Sequence, residues 1–142
     1  MTVIAWDGKT LAADKQMSRA DTIGTCTKIY KIEDGSVLAF CGQLAQGLAL
    51  MDWYRNGRIY SEWPAFQSSD NWTVLVIAKD GKLIEYEQCP RPIGLEEKFT
   101  AWGNGREFAI GALAMGASSV EAVEVTSHHC EGCGRGVDSF ES

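Results

Sequence analysis

Thr2, directly after the initiator methionine, is the first residue whose type and position could do chemistry. Methionine removal favours a small second residue, so the mature chain is expected to begin at Thr2 with a free amine. A threonine hydroxyl is a weak nucleophile and needs a base close by. The α-amine of the same residue, with an unperturbed pKa of roughly 7.7–8.0, can take the hydroxyl proton near neutral pH, directly or through one water. Met-Thr by itself specifies little, because many chains begin that way.

A second cluster is His128-His129-Cys130-Glu131-Gly132-Cys133. It offers three soft or borderline metal ligands within a few residues. Structural zinc usually takes four ligands from two separated pairs, and Cys26, Cys41 and Cys89 each stand alone. The favoured reading is a helix C-terminus, with histidine in the last turn suiting the dipole and Gly132 or Gly134 as the cap. A small zinc-binding module is the minor alternative. In thioredoxin-like proteins Cys-x-x-Cys opens a helix after a strand, whereas here it follows one. Gly103-Asn104-Gly105 lacks the further glycine of a dinucleotide fingerprint. No cofactor is expected.

These residues must be held by a chain of 142 residues, read as one domain over 1–142. The net charge of -6 argues against a nucleic-acid partner, which selects a basic surface. No apolar run approaches the roughly 18 residues of a membrane span. The first residues lack the basic and apolar regions of a signal peptide, so a cytoplasmic location is expected. An odd count of five cysteines without a secretion signal favours reduced thiols.

Three Asp-Gly pairs, at Asp7, Asp34 and Asp80, each separate two strand-like runs, a strong hairpin signal. They predict Thr2–Trp6 with Thr10–Ala13, Thr27–Ile32 with Ser36–Cys41, and Trp72–Ala78 with Lys82–Glu87. Between the second and third, Leu44, Leu48 and Met51 form an apolar stripe at helical spacing over Gln43–Tyr54. Ala45, Gly47 and Ala49 would let this helix sit close to a sheet, and Asn56-Gly57 ends it. Ser61–Asn71 reads as a loop with room for a short helix. Pro90 and Pro92 break regular structure. Phe99–Trp102 reads as a strand, Arg106–Met115 as a helix, and Ser118–His129 as a helix capped by Ser118 or Ser119 with Glu121 just inside. Val137–Phe140 could add a last strand. The order of elements suggests an α+β layered domain with mainly antiparallel sheets.

The succession is similar to the proteasome β-subunit family of N-terminal-nucleophile (Ntn) hydrolases, especially HslV-type peptidases. A strand begins at Thr2. Leu11-Ala12-Ala13-Asp14-Lys15-Gln16 closes the second strand with an Asp. Lys28-Ile29-Tyr30-Lys31-Ile32 opens the third with Lys-x-x-basic-aliphatic. Leu38-Ala39-Phe40-Cys41-Gly42-Gln43 leads into a helix. The resemblance is clearest over residues 2–55 and covers most of the chain. It implies a four-layer αββα sandwich, two sheets between helices, and threonine-type endopeptidase chemistry. By position it implies Thr2 as nucleophile and base, Lys28 as the charge that lowers the pKa of the reacting pair, Asp14 as the residue that orients Lys28, and Gly42 as the oxyanion donor. On the residues alone, Asp14 could be a strand-end cap, Gly42 a strand-to-helix turn, and Lys31 the functional lysine in place of Lys28. The resemblance also implies peptide or unfolded-protein substrates, homo-oligomeric rings and a possible ATPase unfoldase partner.

The sequence departs from the family's pattern in three places. Asn104 stands where the family has the serine of Gly-Ser-Gly, and its amide could still bond the nucleophile's amine. His128 falls near a supporting Asp. Phe40-Cys41-Gly42-Gln43 replaces Ala-Gly-Gly. The alternative function is therefore a weakly active or inactive assembly protein with the same fold.

Overall fold

A computed structural model describes residues 2–64 and 73–142. The first Asp-Gly pair makes the hairpin of β1 (Ile4–Trp6) and β2 (Thr10–Asp14), with Ile4 opposite Ala13 and Trp6 opposite Leu11. Asp7 Oδ1 accepts the N–H groups of Lys9 and Thr10 at 2.9 and 2.8 Å, while Gly8 takes φ +97°. The side chain fixes the turn and the glycine supplies the left-handed step. β3 (Gln16–Arg19) and β4 (Thr22–Thr25) form a separate two-stranded ribbon. This ribbon was not legible in the sequence, because its strands are short and partly exposed and carry no Asp-Gly turn.

The second hairpin joins β5 (Ile29–Lys31) to β6 (Val37–Cys41). The third joins β7 (Thr73–Ile77) to β8 (Leu83–Tyr86). Trp72 and most of the expected Ser61–Asn71 loop lie outside the described residues, although a single 3-10 turn forms at Tyr60–Glu62. The prolines at 90 and 92 are followed at once by β9 (Ile93–Leu95), an edge strand against β8. Edge positions tolerate nearby proline because one side of the strand needs no ladder partner. β10 (Thr100–Trp102) and β11 (Val137–Glu141) flank the first hairpin.

The result is one sheet of order β10-β1-β2-β11 and one of order β5-β6-β7-β8-β9, with every pairing antiparallel. Alternation along the strands sorts the side chains into three cores. Ile4, Trp6, Leu11 and Ala13 of the first sheet meet Ile29, Val37, Leu75 and Ile77 of the second. The other face of the five-stranded sheet, with Leu38, Phe40, Val74 and Val76, packs on Leu50, Met51, Trp53 and Tyr54 of α1 (Leu44–Arg55). The outer face of the four-stranded sheet, with Val3, Ala5 and Ala12, packs on α2 (Arg106–Ala114) and α3 (Ser119–His129). This is the expected αββα sandwich.

Small residues set the layer spacing. A Cβ on Gly47 of α1 would overlap the Phe40 ring of β6, so the glycine is what lets helix and sheet approach this closely. α1 ends as expected at Asn56, with Gly57 at φ +98°. α3 opens on a full capping box, in which Ser118 Oγ accepts the Glu121 N–H at 3.2 Å and Glu121 Oε1 accepts the Ser118 N–H at 3.0 Å. Asp7 Oδ2 accepts the next N–H, that of Ser119, at 2.9 Å. The turn of the first hairpin therefore also anchors the helix layer.

Candidate active site

Thr2 is 8% exposed and stands at the mouth of β1. Its carbonyl accepts the N–H of Gly105 at 3.2 Å. Asp14 ends β2 and is 0% exposed. A buried carboxylate is tolerated only when its oxygens are satisfied, and those of Asp14 are. Oδ1 accepts from Val3 N at 3.1 Å and from Lys28 Nζ at 2.7 Å, and Oδ2 accepts from Gln16 N at 3.3 Å and Gly134 N at 3.1 Å. Lys28, just ahead of β5, is buried and donates also to Thr2 Oγ1 at 3.2 Å. Lys31 is exposed, which leaves Lys28 as the lysine of the site.

Gly42 follows β6 with φ +121°, a conformation that favours glycine. It lines the same cleft as Thr2, Lys28, Gln16, Cys26 and Phe40, a space of about 280 Å³. The neighbouring Cys41 thiol is pushed up to about 12 by desolvation, outweighing the nearby Lys28 charge, so it stays protonated at neutral pH.

The structure thus brings Thr2, Asp14, Lys28 and Gly42 together. Asn104 is the exception: it is exposed, and among the described residues its side chain makes no hydrogen bond to Thr2. The cause is local. Arg106 N donates to Gly103 O at 3.1 Å, and Gly105 has φ -87° and ψ 4°. This is a turn in which Asn104 is the outer central residue. The turn serves Thr2 through its backbone instead. Gly103 has φ +92°, and a Cβ on it would overlap the Thr2 carbonyl. His128 is likewise exposed on α3. Asp14 is supported by the loop after that helix, through Gly134 N–H.

That loop was read from sequence as a helix cap. α3 ends at His129 as expected, but its cap is Cys130, and Gly134 serves Asp14. The loop is tied down further by Lys15 N donating to Gly134 O at 3.0 Å and Gln16 Nε2 donating to Glu131 O at 3.3 Å. Cys133 is buried, with its thiol donating to Cys130 Sγ at 3.6 Å. Burial first, and the Asp14 charge next, push the Cys133 thiol up to about 12. Among the described residues no group of three or more His, Cys, Asp or Glu is placed to hold a metal. Cys-x-x-Cys followed by Gly was the visible trace of this loop, but no local pattern tells a loop that caps a helix from one that reaches a carboxylate on another layer.

No family model matches the sequence, and no curated protein matches it either. Solved structures do match along its full length. Thiobacillus denitrificans BPH in complex with epoxomicin superposes with TM-score 0.73 at 20% identity, covering 100% of this chain and 98% of that one. Eukaryotic HslV from Trypanosoma brucei gives 0.74 at 18%, covering 99% and 97%. Anbu (ancestral beta-subunit) from Yersinia bercovieri gives 0.76 at 13%, covering 100% and 81%. At these identities the likeness speaks for the fold, and the fold of this chain is that of the proteasome-type Ntn hydrolases.

Proposed function

We propose that this chain is a threonine-type peptidase subunit acting through Thr2. The observation that carries the reading is the position of the Lys28 ammonium, between the buried Asp14 carboxylate and Thr2 Oγ1. Once Met1 is removed, the Thr2 amine accepts the hydroxyl proton as Oγ1 attacks a peptide carbonyl. The fixed positive charge of Lys28 stabilises the developing alkoxide. The Gly42 N–H receives the oxyanion, an interaction worth about 3 kcal/mol in such sites. Collapse expels the amine product, which takes the proton, and water then releases the acyl group from Thr2. Backbone support of Thr2 by Gly105 and of Asp14 by Gly134 means that little reorganisation is needed. The neighbour crystallised with epoxomicin has this fold, which supports the same chemistry here.

Substrates in this reading are unfolded peptide segments small enough for the cleft. The subunits assemble as homo-oligomeric rings in the cytoplasm, fed by an ATPase unfoldase. Exposed apolar side chains on the helix layer, Phe108, Ile110, Met115 and Val125, are consistent with subunit contacts.

A second reading, an assembly protein without efficient chemistry, is favoured by the exposed Asn104. Epoxomicin separates the two, since a morpholine adduct needs both hydroxyl and free amine. The peptidase reading expects one adduct per chain on protein lacking Met1, and none in Thr2→Ala. Absence of an adduct on protein shown by intact mass to lack Met1 favours the scaffold.

A further inference from the structure

The loop carrying Cys130 and Cys133 is the one that supports Asp14, and the two sulfurs already touch. Cys133 N donates to Cys130 O at 3.2 Å, closing a turn from Cys130 to Cys133. Such turns hold their end Cα atoms within about 7 Å, and disulfides span about 4.4–6.8 Å. The sulfurs, 3.6 Å apart, need to approach by about 1.5 Å to reach bonding distance. Cys130 is partly exposed at the end of α3, so a reagent can reach it. Cys133 is enclosed, and a Cβ on Gly105 would lie 3.2 Å from its sulfur. Gly105 is also the donor to the Thr2 carbonyl, and Gly134, next to Cys133, is a donor to Asp14. Cys133 therefore sits directly beside both supports of the site.

We propose that Cys130 and Cys133 form a reversible disulfide by exchange with a low-molecular-weight disulfide, and that this modification loosens the Gly134 support of Asp14.

In the first step Cys130 Sγ, as thiolate, attacks one sulfur of glutathione disulfide. The Cys130–glutathione bond forms, the S–S bond of the reagent breaks, and a glutathione thiolate leaves. The Cys133 S–H donates toward Cys130 Sγ across 3.6 Å, so the two sulfurs already face each other. In the second step Cys133 gives its proton to the departed thiolate and attacks Cys130 Sγ. The internal disulfide forms and the second glutathione thiolate leaves, protonated by water. Two protein thiols are oxidised and one reagent disulfide is reduced to two thiols. The slow step is the second, since Cys133 must lose its proton in a desolvated setting beside Asp14.

The test uses the full chain incubated with glutathione disulfide, alkylated without reduction and cut with trypsin. Residues 107–135, between Arg106 and Arg135, hold both cysteines and no other. The expected result is that this peptide is lighter by two hydrogens and resists alkylation, and that the chain loses two of its five thiols. Dithiothreitol restores them. Amide exchange at Lys15 and Gly134 accelerates by roughly tenfold in the oxidised form, as local opening of these two bonds requires. Cys133→Ser abolishes the change, and Cys130→Ser, at the more exposed position, serves where Cys133→Ser folds poorly. Full alkylation of both cysteines, glutathione retained on Cys130, or a disulfide that leaves exchange at Lys15 and Gly134 unchanged each overturns the proposal. These are thiol and amide measurements, so their outcome does not depend on whether Thr2 cleaves peptides.

Discussion

Lys28 reaches from the edge of the five-stranded sheet into the four-stranded one, where its Nζ lies 2.7 Å from Asp14 Oδ1. Neither residue is more than 5% exposed. The two halves of this pair are not equivalent. Asp14 keeps three backbone N–H donors if Lys28 is lost, whereas Lys28 loses the carboxylate 2.7 Å from its ammonium if Asp14 is lost. Asp14→Ala is therefore expected to cost roughly 3–5 kcal/mol, as breaking a buried ion pair does, and Lys28→Met about 1–2 kcal/mol. If the proposed function holds, both are expected to remove the epoxomicin adduct. Urea denaturation of the two variants checks the order, and equal losses would contradict it.

Asp7 predicts an acid-sensitive limb of stability. Burial alone would raise its pKa, but N–H donors from Ser119, Thr10 and Lys9 outweigh it and hold the carboxyl below its ordinary 3.8. A depressed folded pKa means that the stabilisation is present above about pH 4 and is lost as pH falls through the folded value. Asp7→Asn should flatten that limb, and at neutral pH should cost about 1 kcal/mol, the scale of a lost cap. Thermal unfolding of both proteins between pH 2 and pH 7 measures it.

Glu85 has the opposite sign. Burial raises its carboxyl above the ordinary 4.5, partly offset by the Trp102 indole N–H donating to Oε1 at 3.0 Å. With the folded pKa raised, the folded state binds the extra proton, so this residue's contribution falls as pH rises from 4.5 through the folded value. Glu85→Gln keeps an acceptor for Trp102 and removes the charge. It should leave stability at neutral pH unchanged or higher. A clear loss at neutral pH would show that the ionised form is needed.

Gly47→Ala sets two effects against each other. Helix propensity favours alanine by about 1 kcal/mol. The added Cβ overlaps the Phe40 ring, and overpacking costs typically 1–3 kcal/mol. Net destabilisation is expected, with recovery in the double variant Gly47→Ala, Phe40→Leu. If the double variant is no more stable than the single, the helix is not held off by that ring.

The three hairpins were legible because Asp-Gly fixes a turn within a few residues. The Ser118 capping box and the Asn56-Gly57 stop are local in the same sense. Thr2, Asp14, Lys28 and Gly42 were legible only as an ordered set, because what joins them is sheet packing. The β3–β4 ribbon carried no turn signal of that kind. Gly134 was misread because its partner, Asp14, is 120 residues away along the chain. Asn104, assigned by resemblance to the nucleophile's amine, stands exposed in the turn between Gly103 and Gly105.

The distance between Asp14 and Gly134 also has a consequence in time. Thr2 and Lys28 are both translated well before Gly134. The N–H that completes the cradle of Asp14 is made 120 residues after Asp14 itself. A nascent chain therefore carries Thr2, the proposed nucleophile, long before Asp14 has its full set of donors. In the proposed mechanism, chemistry at Thr2 waits until Gly134 has been made.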